Sequence, residues 1–249
     1  MIIFRCMKKF FAFLLPILVV SACLAQETNS QKAPVANPAI TPVTRGNPTN
    51  WVARHEGFVK QAQAGGIDLL FMGDSITDNW RNRGKNVWDK VYGTRRAANF
   101  GIGGDRTQHV IWRIEHGELE GISPKVIVLM IGTNNSNSDS SDQISEGVEK
   151  IVSDTREKCP KSKILLLAVF PRGKADAPPK QMETIHAVNE RIAKLDDGKM
   201  ITFLDINKAF LGEDGKLHAE IMPDFLHPNE HGYQLWADAM EPTLAKMLQ

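Results

Sequence analysis

The stretch IDLLFMGDSIT, residues 67–77, joins an apolar run of strand length to a polar turn that carries an acid and a serine. An apolar run without alternation, such as Ile67–Met72, is typical of a strand buried on both faces of a parallel sheet. The polarity changes abruptly at Gly73-Asp74-Ser75. Ligands of open α/β sheets bind outside the carboxyl ends of the strands, so this turn is the first candidate for a functional site.

Four further runs of the same kind follow along the chain: Ala97–Phe100, Val126–Ile131, Ile164–Phe170 and Ile201–Leu204. Helical patterns, with apolar residues at three- and four-residue spacing, cover Thr107–Glu115, Ser141–Lys158, Gln181–Leu195 and Asn229–Met247. Strands that alternate with helices in this way predict crossover units. We therefore expect an α/β protein, a three-layer α/β/α sandwich around a parallel sheet.

The composition fits one globular domain and excludes several classes of protein. Of the 249 residues 42% are hydrophobic and 24% are charged, which argues against collagen-like, coiled-coil and wholly disordered chains. Residues 1–25 carry three basic and no acidic side chains, so the remainder has 27 basic and 29 acidic ones. Without a positive excess we predict no nucleic-acid partner, and we expect a small, neutral or weakly charged substrate.

The first 25 residues have the pattern of a signal peptide. Three basic residues precede an apolar run at residues 10–20, which is too short for a comfortable membrane span, and small residues follow it. We predict an exported chain: periplasmic, secreted or held at the cell envelope. Two processing sites fit equally well. Val20-Ser21-Ala22-Cys23 resembles a bacterial lipobox, which would place a lipid anchor on Cys23, whereas cleavage after Ala25 would release a soluble protein.

Residues 26–50 contain four prolines among small polar residues, so we predict a flexible, extended tether there and a single domain at 51–249. Cys159 is the one cysteine of that domain, which excludes an internal disulfide. No paired-cysteine or His-Glu-x-x-His motif occurs, and the glycine-rich segment at 101–104 lacks the spacing of a nucleotide loop. We predict neither a metal nor a cofactor.

Four polar, turn-rich segments are predicted at one edge of the sheet. They are Gly73–Thr77, Gly101–Asp105, Gly132–Asn135 and Asp224–Pro228. Together they hold a serine, a histidine, an acid and hydrogen-bond donors, which is the inventory for acyl transfer.

Each member of that inventory has a predicted role. Ser75 is the nucleophile, and it needs a base, His227, to take its proton. Asp224, three residues before His227, can accept the imidazole Nδ1–H and fix the tautomer. The backbone N–H groups of Ser75 and Gly104 and the side-chain amide of Asn134 are the candidate donors to an oxyanion.

Other residues near these segments have two interpretations. Asn135 competes with Asn134 for the donor role, with a loop cap as its alternative. We interpret Asp74 as a cap of the turn rather than a second catalytic acid. Arg106 is either a solvated loop charge or a substrate contact, and Trp80 and Trp88 belong either to the core or to the acyl pocket. His231, one helical turn beyond His227, is interpreted as a surface or packing residue.

In order and spacing, the four segments resemble the four signature blocks of the SGNH (GDSL-type) hydrolases: GDS with Ser75, the glycine block with Gly104, G-x-N with Asn134, and D-x-x-H with Asp224 and His227. The segments NFGIGGDRTQHVIWRIEHGELEGISPKVIVLMIGTNN and DFLHPNEHGY look particularly like the catalytic subunits of platelet-activating factor acetylhydrolase and their bacterial relatives. The resemblance implies a flavodoxin-like five-stranded sheet of order 2-1-3-4-5 and metal-free hydrolysis of short acyl esters. It also favours Asn134 over Asn135, and pairing of the mammalian relatives suggests a homodimer.

We therefore expect an exported serine esterase that cleaves short-chain, mostly acetyl, O-esters through an acyl-enzyme. A carbohydrate O-deacetylase is the first interpretation of its substrate. The alternatives are a lipid or phospholipid acetylhydrolase, and an acyltransferase or thioesterase that uses the same three residues.

Overall fold

The computed structural model describes residues 1–2, 36–45, 48–173 and 180–249. The chain divides into two compact units, Met1–Val35 and Ala36–Gln249, and the fold described below is that of the second. Apart from its first two residues, the predicted signal segment with Cys23 and Ala25 lies outside the described residues. Its processing stays a prediction.

A five-stranded parallel sheet forms the centre of the second unit. Its strands are β1 (Leu69–Gly73), β2 (Ala97–Gly101), β3 (Val126–Met130), β4 (Lys163–Leu167) and β5 (Ile201–Leu204). Their order is β2-β1-β3-β4-β5, as the resemblance implied, and every pairing is parallel. The register sets Gly73 opposite both Gly101 and Met130, so β1, β2 and β3 end at the same level.

Helices cover both faces of the sheet. They are α1 (Pro48–Ala64), α2 (Ser75–Asp78), α3 (Lys85–Val91), α4 (Thr107–Glu115), α5 (Ser141–Lys158), α6 (Lys180–Ile192) and α7 (Glu230–Leu248). The bounds predicted for α4 and α5 are confirmed, and the predicted third helix ends in a 3-10 turn, Ala193–Leu195. None of the helices in the described ranges has the length and apolarity to cross a membrane.

The apolar strands bury alternate side chains in two separate cores, which explains their unbroken hydrophobicity. On β1, Leu70 and Met72 pack with α1, α4, α5 and α6 in the first core, whereas Leu69 and Phe71 pack with α2, α3 and α7 in the second core. Each such residue is fully or almost fully buried. Full burial of a side chain of this size contributes about 1.5–3 kcal/mol. The predicted three-layer α/β/α architecture is confirmed.

The prediction of a tether over residues 26–50 is wrong for its described part, and the folded unit begins before residue 51. Pro38–Ile40 forms a 3-10 turn in which Ala39 is buried and its carbonyl accepts a hydrogen bond from Thr107 Oγ1 at 2.7 Å. Asn37 Nδ2 donates to the Gln143 carbonyl of α5 at 3.1 Å. The prolines begin elements here: Pro38 opens the 3-10 turn and Pro48 opens α1, positions where a fixed φ favours a helical turn.

Candidate active site

The nucleophile candidate sits where β1 turns into α2. Asp74 caps that helix, because its Oδ1 accepts the Ile76 N–H at 2.9 Å, as the sequence predicted. Burial raises the pKa of the Asp74 carboxyl to about 7. Only glycine fits at position 73, since a Cβ there would lie 2.4 Å from the Met130 carbonyl oxygen. The tight turn leaves Ser75 half-buried at the first position of α2.

Ser75, His227 and Asp224 lie in one hydrogen-bonded line. Ser75 Oγ is 2.8 Å from His227 Nε2, although 152 residues separate the two in sequence. On the other side of the ring, His227 Nδ1 is 2.8 Å from Asp224 Oδ2. The three residues predicted to act together are therefore brought together, with the carboxylate behind the imidazole.

The Asp224–His227 turn is also built from backbone hydrogen bonds. Asp224 Oδ1 accepts the N–H groups of His227 at 2.7 Å and of Leu226 at 3.2 Å. Partial burial alone raises the pKa of Asp224, but the hydrogen bonds from His227 and the charge of Arg83 outweigh it and lower the pKa to about 2. Asp224 is thus a stable carboxylate at neutral pH, as an acceptor for Nδ1–H must be.

Phe225 makes this turn possible through an unusual backbone conformation. Its φ is 54°, in the left-handed region that non-glycine residues seldom occupy. Packing against the second core and a hydrogen bond from the Gly173 N–H to the Phe225 carbonyl, 2.7 Å long, hold it there. Local strain of this kind persists where the surroundings enforce it, and it is frequent at functional sites.

The glycine block, which carries one of the proposed oxyanion donors, lies beside Ser75. A Cβ built on Gly103 would lie 3.7 Å from Ser75 Cβ, so the glycine block runs directly past the serine. Gly104 has φ +79°, a conformation that glycine adopts without strain. The N–H groups of Ser75 and Gly104 have no intramolecular acceptor within the described ranges. Asn134 Nδ2 donates one hydrogen bond, to the Asp105 carbonyl at 2.8 Å, which leaves its second hydrogen for a ligand.

In Asn135, by contrast, both the oxygen and the nitrogen of the side-chain amide are already hydrogen-bonded. Its Oδ1 accepts the Thr107 N–H at 3.0 Å, and its Nδ2 lies within hydrogen-bond distance of Thr107 Oγ1, Gln108 Oε1 and Asp139 Oδ2. The side chain is fully buried. Asn135 therefore ties its own loop to the glycine block, and Asn134 is the asparagine with a donor to spare.

A buried ionic cluster that the sequence did not predict lies behind the glycine block. Asp105 Oδ1 accepts the Trp51 Nε1–H at 2.7 Å, and its Oδ2 is 3.1 Å from Arg113 Nε. Arg113 also donates to Glu118 and to the Phe100 carbonyl. Burial raises the pKa of Glu118 to about 7, even though Arg113 lies beside it. The signal was present: Arg113 interrupts the apolar face of α4 next to Ile114.

Five arginines around the site were not predicted either. Each donates a hydrogen bond to a backbone carbonyl of one of the four polar segments: Arg45 to Gly103, Arg54 and Arg81 to Gly101, Arg83 to His227, and Arg172 to Thr133. No local pattern distinguishes them, because only Arg81 and Arg83 are near each other in the sequence and the other three lie in separate parts of the chain.

The remaining candidates have partners other than the proposed triad, or are exposed. Trp80 is fully buried against Tyr233, and Trp88 packs on Phe71, so both belong to the second core. Arg106 donates to Ser138 Oγ at 3.0 Å, and His231 is exposed on α7. Within the described parts of the chain, no group of three or more His, Cys, Asp or Glu side chains is placed to hold a metal ion.

Comparisons with known proteins agree with this fold. The profile of the GDSL-like Lipase/Acylhydrolase family matches residues 71–235, a range that includes all four polar segments. Rat platelet-activating factor acetylhydrolase IB subunit alpha2 is 34% identical over 201 residues, which cover 80% of this chain and 85% of the relative. Human subunit alpha1 is 34% identical over 199 residues, 80% of this chain and 84% of the relative.

Two solved structures show the same fold at lower identity. A putative acylhydrolase from Bacteroides fragilis has a TM-score of 0.64 at 20% identity, with 78% of this chain and 97% of that chain covered. A catalytic mutant of an acetylxylan esterase from Geobacillus stearothermophilus has a TM-score of 0.57 at 21% identity, with 74% and 94% covered. The chain belongs to the GDSL-like lipase/acylhydrolase family, and its activity is that of an acylhydrolase.

Proposed function

We propose that this acylhydrolase is a serine esterase that removes acetyl and other short acyl groups from carbohydrate hydroxyls through an acyl-enzyme. The observation that carries the proposal is the line of two 2.8 Å contacts from Ser75 through His227 to Asp224. The comparison that supports an acetyl group is the 34% identity to acetylhydrolase subunits over 80% of the chain.

Acylation begins as His227 Nε2 takes the proton of Ser75 and the Oγ attacks the ester carbonyl carbon. The carbonyl oxygen becomes an oxyanion, which accepts hydrogen bonds from the N–H groups of Ser75 and Gly104 and from Asn134 Nδ2. When the intermediate collapses, the bond to the alcohol oxygen breaks and that oxygen receives the proton from His227 Nε2. The alcohol leaves, and the acyl group stays on Ser75.

Deacylation repeats these steps with water. His227 takes a proton from a water molecule, whose oxygen attacks the acyl carbon. The bond to Ser75 Oγ then breaks, and Oγ recovers the proton. Throughout, Asp224 keeps Nδ1–H oriented and stabilises the imidazolium, while each pre-placed oxyanion donor is worth about 10²–10³ in turnover.

A carbohydrate alcohol is favoured by the signal segment predicted at residues 1–25, which would place the enzyme where polysaccharides are its neighbours. A phospholipid acetylhydrolase is the second candidate, since the relatives at 34% identity carry the name of platelet-activating factor. Acetate release from acetylated xylan and from an acetylated ether phospholipid separates the two candidates.

The test of the mechanism is Ser75→Ala with para-nitrophenyl acetate as substrate. We expect a loss of roughly 10⁶ in kcat, because the nucleophile and its proton are both removed. Ser153→Ala, an exposed serine on α5, is the matched control and should keep full activity. Peptide mass spectrometry of the acid-quenched wild-type enzyme should find an acetyl group on Ser75. Equal activity of the two variants would overturn the proposal.

A further inference from the structure

A cavity with charged side chains in its lining opens at the glycine block. It has a volume of about 340 Å³, and the residues that line it include Arg45, Trp51, Arg54, Asp78, Ile102 and Gly103. Gly103 connects this cavity to the site, because the same residue passes 3.7 Å from Ser75 Cβ when a Cβ is built on it. Asp78, which also lines the cavity, belongs to the helix that begins with Ser75, so the cavity lies next to the element that carries the serine.

The two arginines of the cavity differ in how fully their charges are paired. Arg54 makes two hydrogen bonds of 2.7 Å to the carboxylate of Asp78 and a third, of 2.9 Å, to the Gly101 carbonyl. Arg45 donates through Nη1 to the Gly103 carbonyl, and no carboxylate of the described residues lies within 4.0 Å of it. Arg45 is thus a half-buried cation with an unfilled donor edge.

The Arg45 guanidinium packs against the glycine block. A Cβ on Gly104 would lie only 2.7 Å from Arg45 Nη2, so the guanidinium packs directly on the glycine whose N–H is the proposed oxyanion donor. Its Nε and Nη2 groups remain without a protein acceptor in the described structure. A planar guanidinium edge of this kind matches a carboxylate, which can accept two parallel N–H groups.

The surrounding charges favour an anion. Arg54 and Arg81 share the one carboxylate of Asp78, and Arg83 is 3.5 Å from Asp224. The buried Asp105 carboxylate also interacts with the charge of Arg45, but its two oxygens already contact Trp51 and Arg113, so Arg45 has no carboxylate partner of its own among the described residues. Beyond residue 25 the chain has slightly more acids than bases, which makes the local excess a property of the site. A cleft in which one sign of charge is in excess concentrates ligands of the opposite sign.

We propose that Arg45 and this cavity form a subsite for a carboxylate on the alcohol half of the ester, so that the preferred substrates are O-acetylated acidic sugars. The inference rests on the proposed function and narrows its substrate class. The lining combines Arg45, Arg54 and Asp78 with Trp51, and charged side chains beside an aromatic ring suit a sugar carboxylate better than the alkyl chain of a phospholipid. The expectation of a neutral or weakly charged substrate, drawn from the overall charge, is replaced by this local argument.

The test uses two substrates that differ in one charge: an O-acetylated methyl glucuronoside and its carboxamide. Wild-type enzyme should prefer the acid in kcat/KM by about tenfold or more, the effect of one charge-assisted hydrogen-bonded pair. Arg45→Met should bring the ratio of the two kcat/KM values close to one. Arg45→Lys should retain part of the preference, because it keeps the positive charge but loses the two parallel N–H groups of the guanidinium. Arg191→Met, which removes an exposed arginine paired with Asp142 on α5, should keep the wild-type ratio.

The two proposals fail in different ways. Equal turnover of the acid and the amide by wild-type enzyme overturns the subsite and leaves the esterase intact, whereas no turnover of either sugar or of para-nitrophenyl acetate overturns the esterase as well. Turnover of para-nitrophenyl acetate alone overturns the sugar substrate. An acetylated ether phospholipid preferred to the uronate in an Arg45-dependent manner would assign the subsite to a phosphate. If Arg45→Met does not fold, Arg45→Lys still tests the subsite. A ratio of kcat/KM for the acid to kcat/KM for the amide that equals the wild-type ratio would overturn the bidentate contact.

Discussion

Asp224→Asn replaces one carboxylate oxygen by an NH₂ group at almost constant size, and the structure determines which one. Oδ1 accepts two backbone N–H groups, those of His227 at 2.7 Å and Leu226 at 3.2 Å, whereas Oδ2 faces His227 Nδ1 at 2.8 Å. An asparagine therefore keeps its amide oxygen at the Oδ1 position, where the two donors are. Its NH₂ group then points at the imidazole.

The consequence is a histidine in the wrong tautomer. A donor opposite Nδ1 makes that nitrogen an acceptor, so the proton of the neutral ring moves to Nε2. Nε2 then cannot accept the proton of Ser75, although the distance between them is unchanged. An error of this kind costs about 10⁴ in kcat, or about 5.4 kcal/mol of transition-state stabilisation.

The assay is kcat on para-nitrophenyl acetate at neutral pH, with Tm as the measure of folding. Asp214→Asn is a matched control, because Asp214 Oδ1 contacts His218 Nε2 at 2.9 Å in an exposed pair that is not part of the proposed triad. We expect the control to keep its kcat and both variants to remain folded at neutral pH. If Asp224→Asn turned over at the wild-type rate, or if the control lost as much, the assignment of Asp224 would be refuted.

Two further predictions concern the loops behind the site. Asn134→Ala should lower kcat by about 10²–10³ with little change in Tm. Asn135→Ala should instead lower the free energy of unfolding by at least about 1–3 kcal/mol, because the buried Thr107 N–H would lose its hydrogen-bond acceptor. If Asn135→Ala lowered kcat and Asn134→Ala lowered stability, the two roles would have to be exchanged. Burial raises the pKa of Glu118 from 4.5 to about 7, so the folded state binds more protons there than the unfolded state and its stability falls as pH rises through this window. Glu118→Gln should abolish the loss of stability that comes from Glu118, which amounts to up to about 3 kcal/mol between about pH 5 and about pH 8 and is measured by denaturant unfolding. If the free energy of unfolding had the same pH dependence in both proteins, the raised pKa of Glu118 would be contradicted.

The strands and the helices α4 to α7 were predictable because their signals are local. Strands β1 to β4 are largely buried on both faces and the edge strand β5 is half-buried, and each of the five appears as an apolar run. Helix α5 begins at a capping box in which the side chains of Ser140 and Gln143 accept each other's backbone N–H groups. Helix α1 escaped prediction because its buried residues Trp51, Phe58 and Ala62 are dispersed among polar ones. The prolines of residues 26–50 were interpreted by composition, although at Pro38 and Pro48 they open helical turns.

The site was predictable as a set of segments, but the charges around it were not. Ser75, Gly104, Asn134 and the Asp224–His227 pair each lie in a short motif whose spacing along the chain is visible. The Asp105–Arg113–Glu118 cluster and the cavity arginine Arg45 depend on which parts of the chain meet after folding. A charged residue in a sequence is interpreted as solvated by default, and only its buried partners show otherwise.

The short distance between Ser75 and His227 follows from packing more than from their own hydrogen bond. Tyr233, six residues after the histidine on α7, donates its hydroxyl to the Ile76 carbonyl at 2.6 Å and so ties α7 to the helix that carries the serine. Gly84 lets this ring approach, because a Cβ there would lie 2.7 Å from it. Trp80 and Trp236 fill the space between the two helices. A contact held by a buried aromatic cluster needs no rearrangement when the substrate arrives, and such preorganisation is what makes proton transfer and oxyanion binding effective.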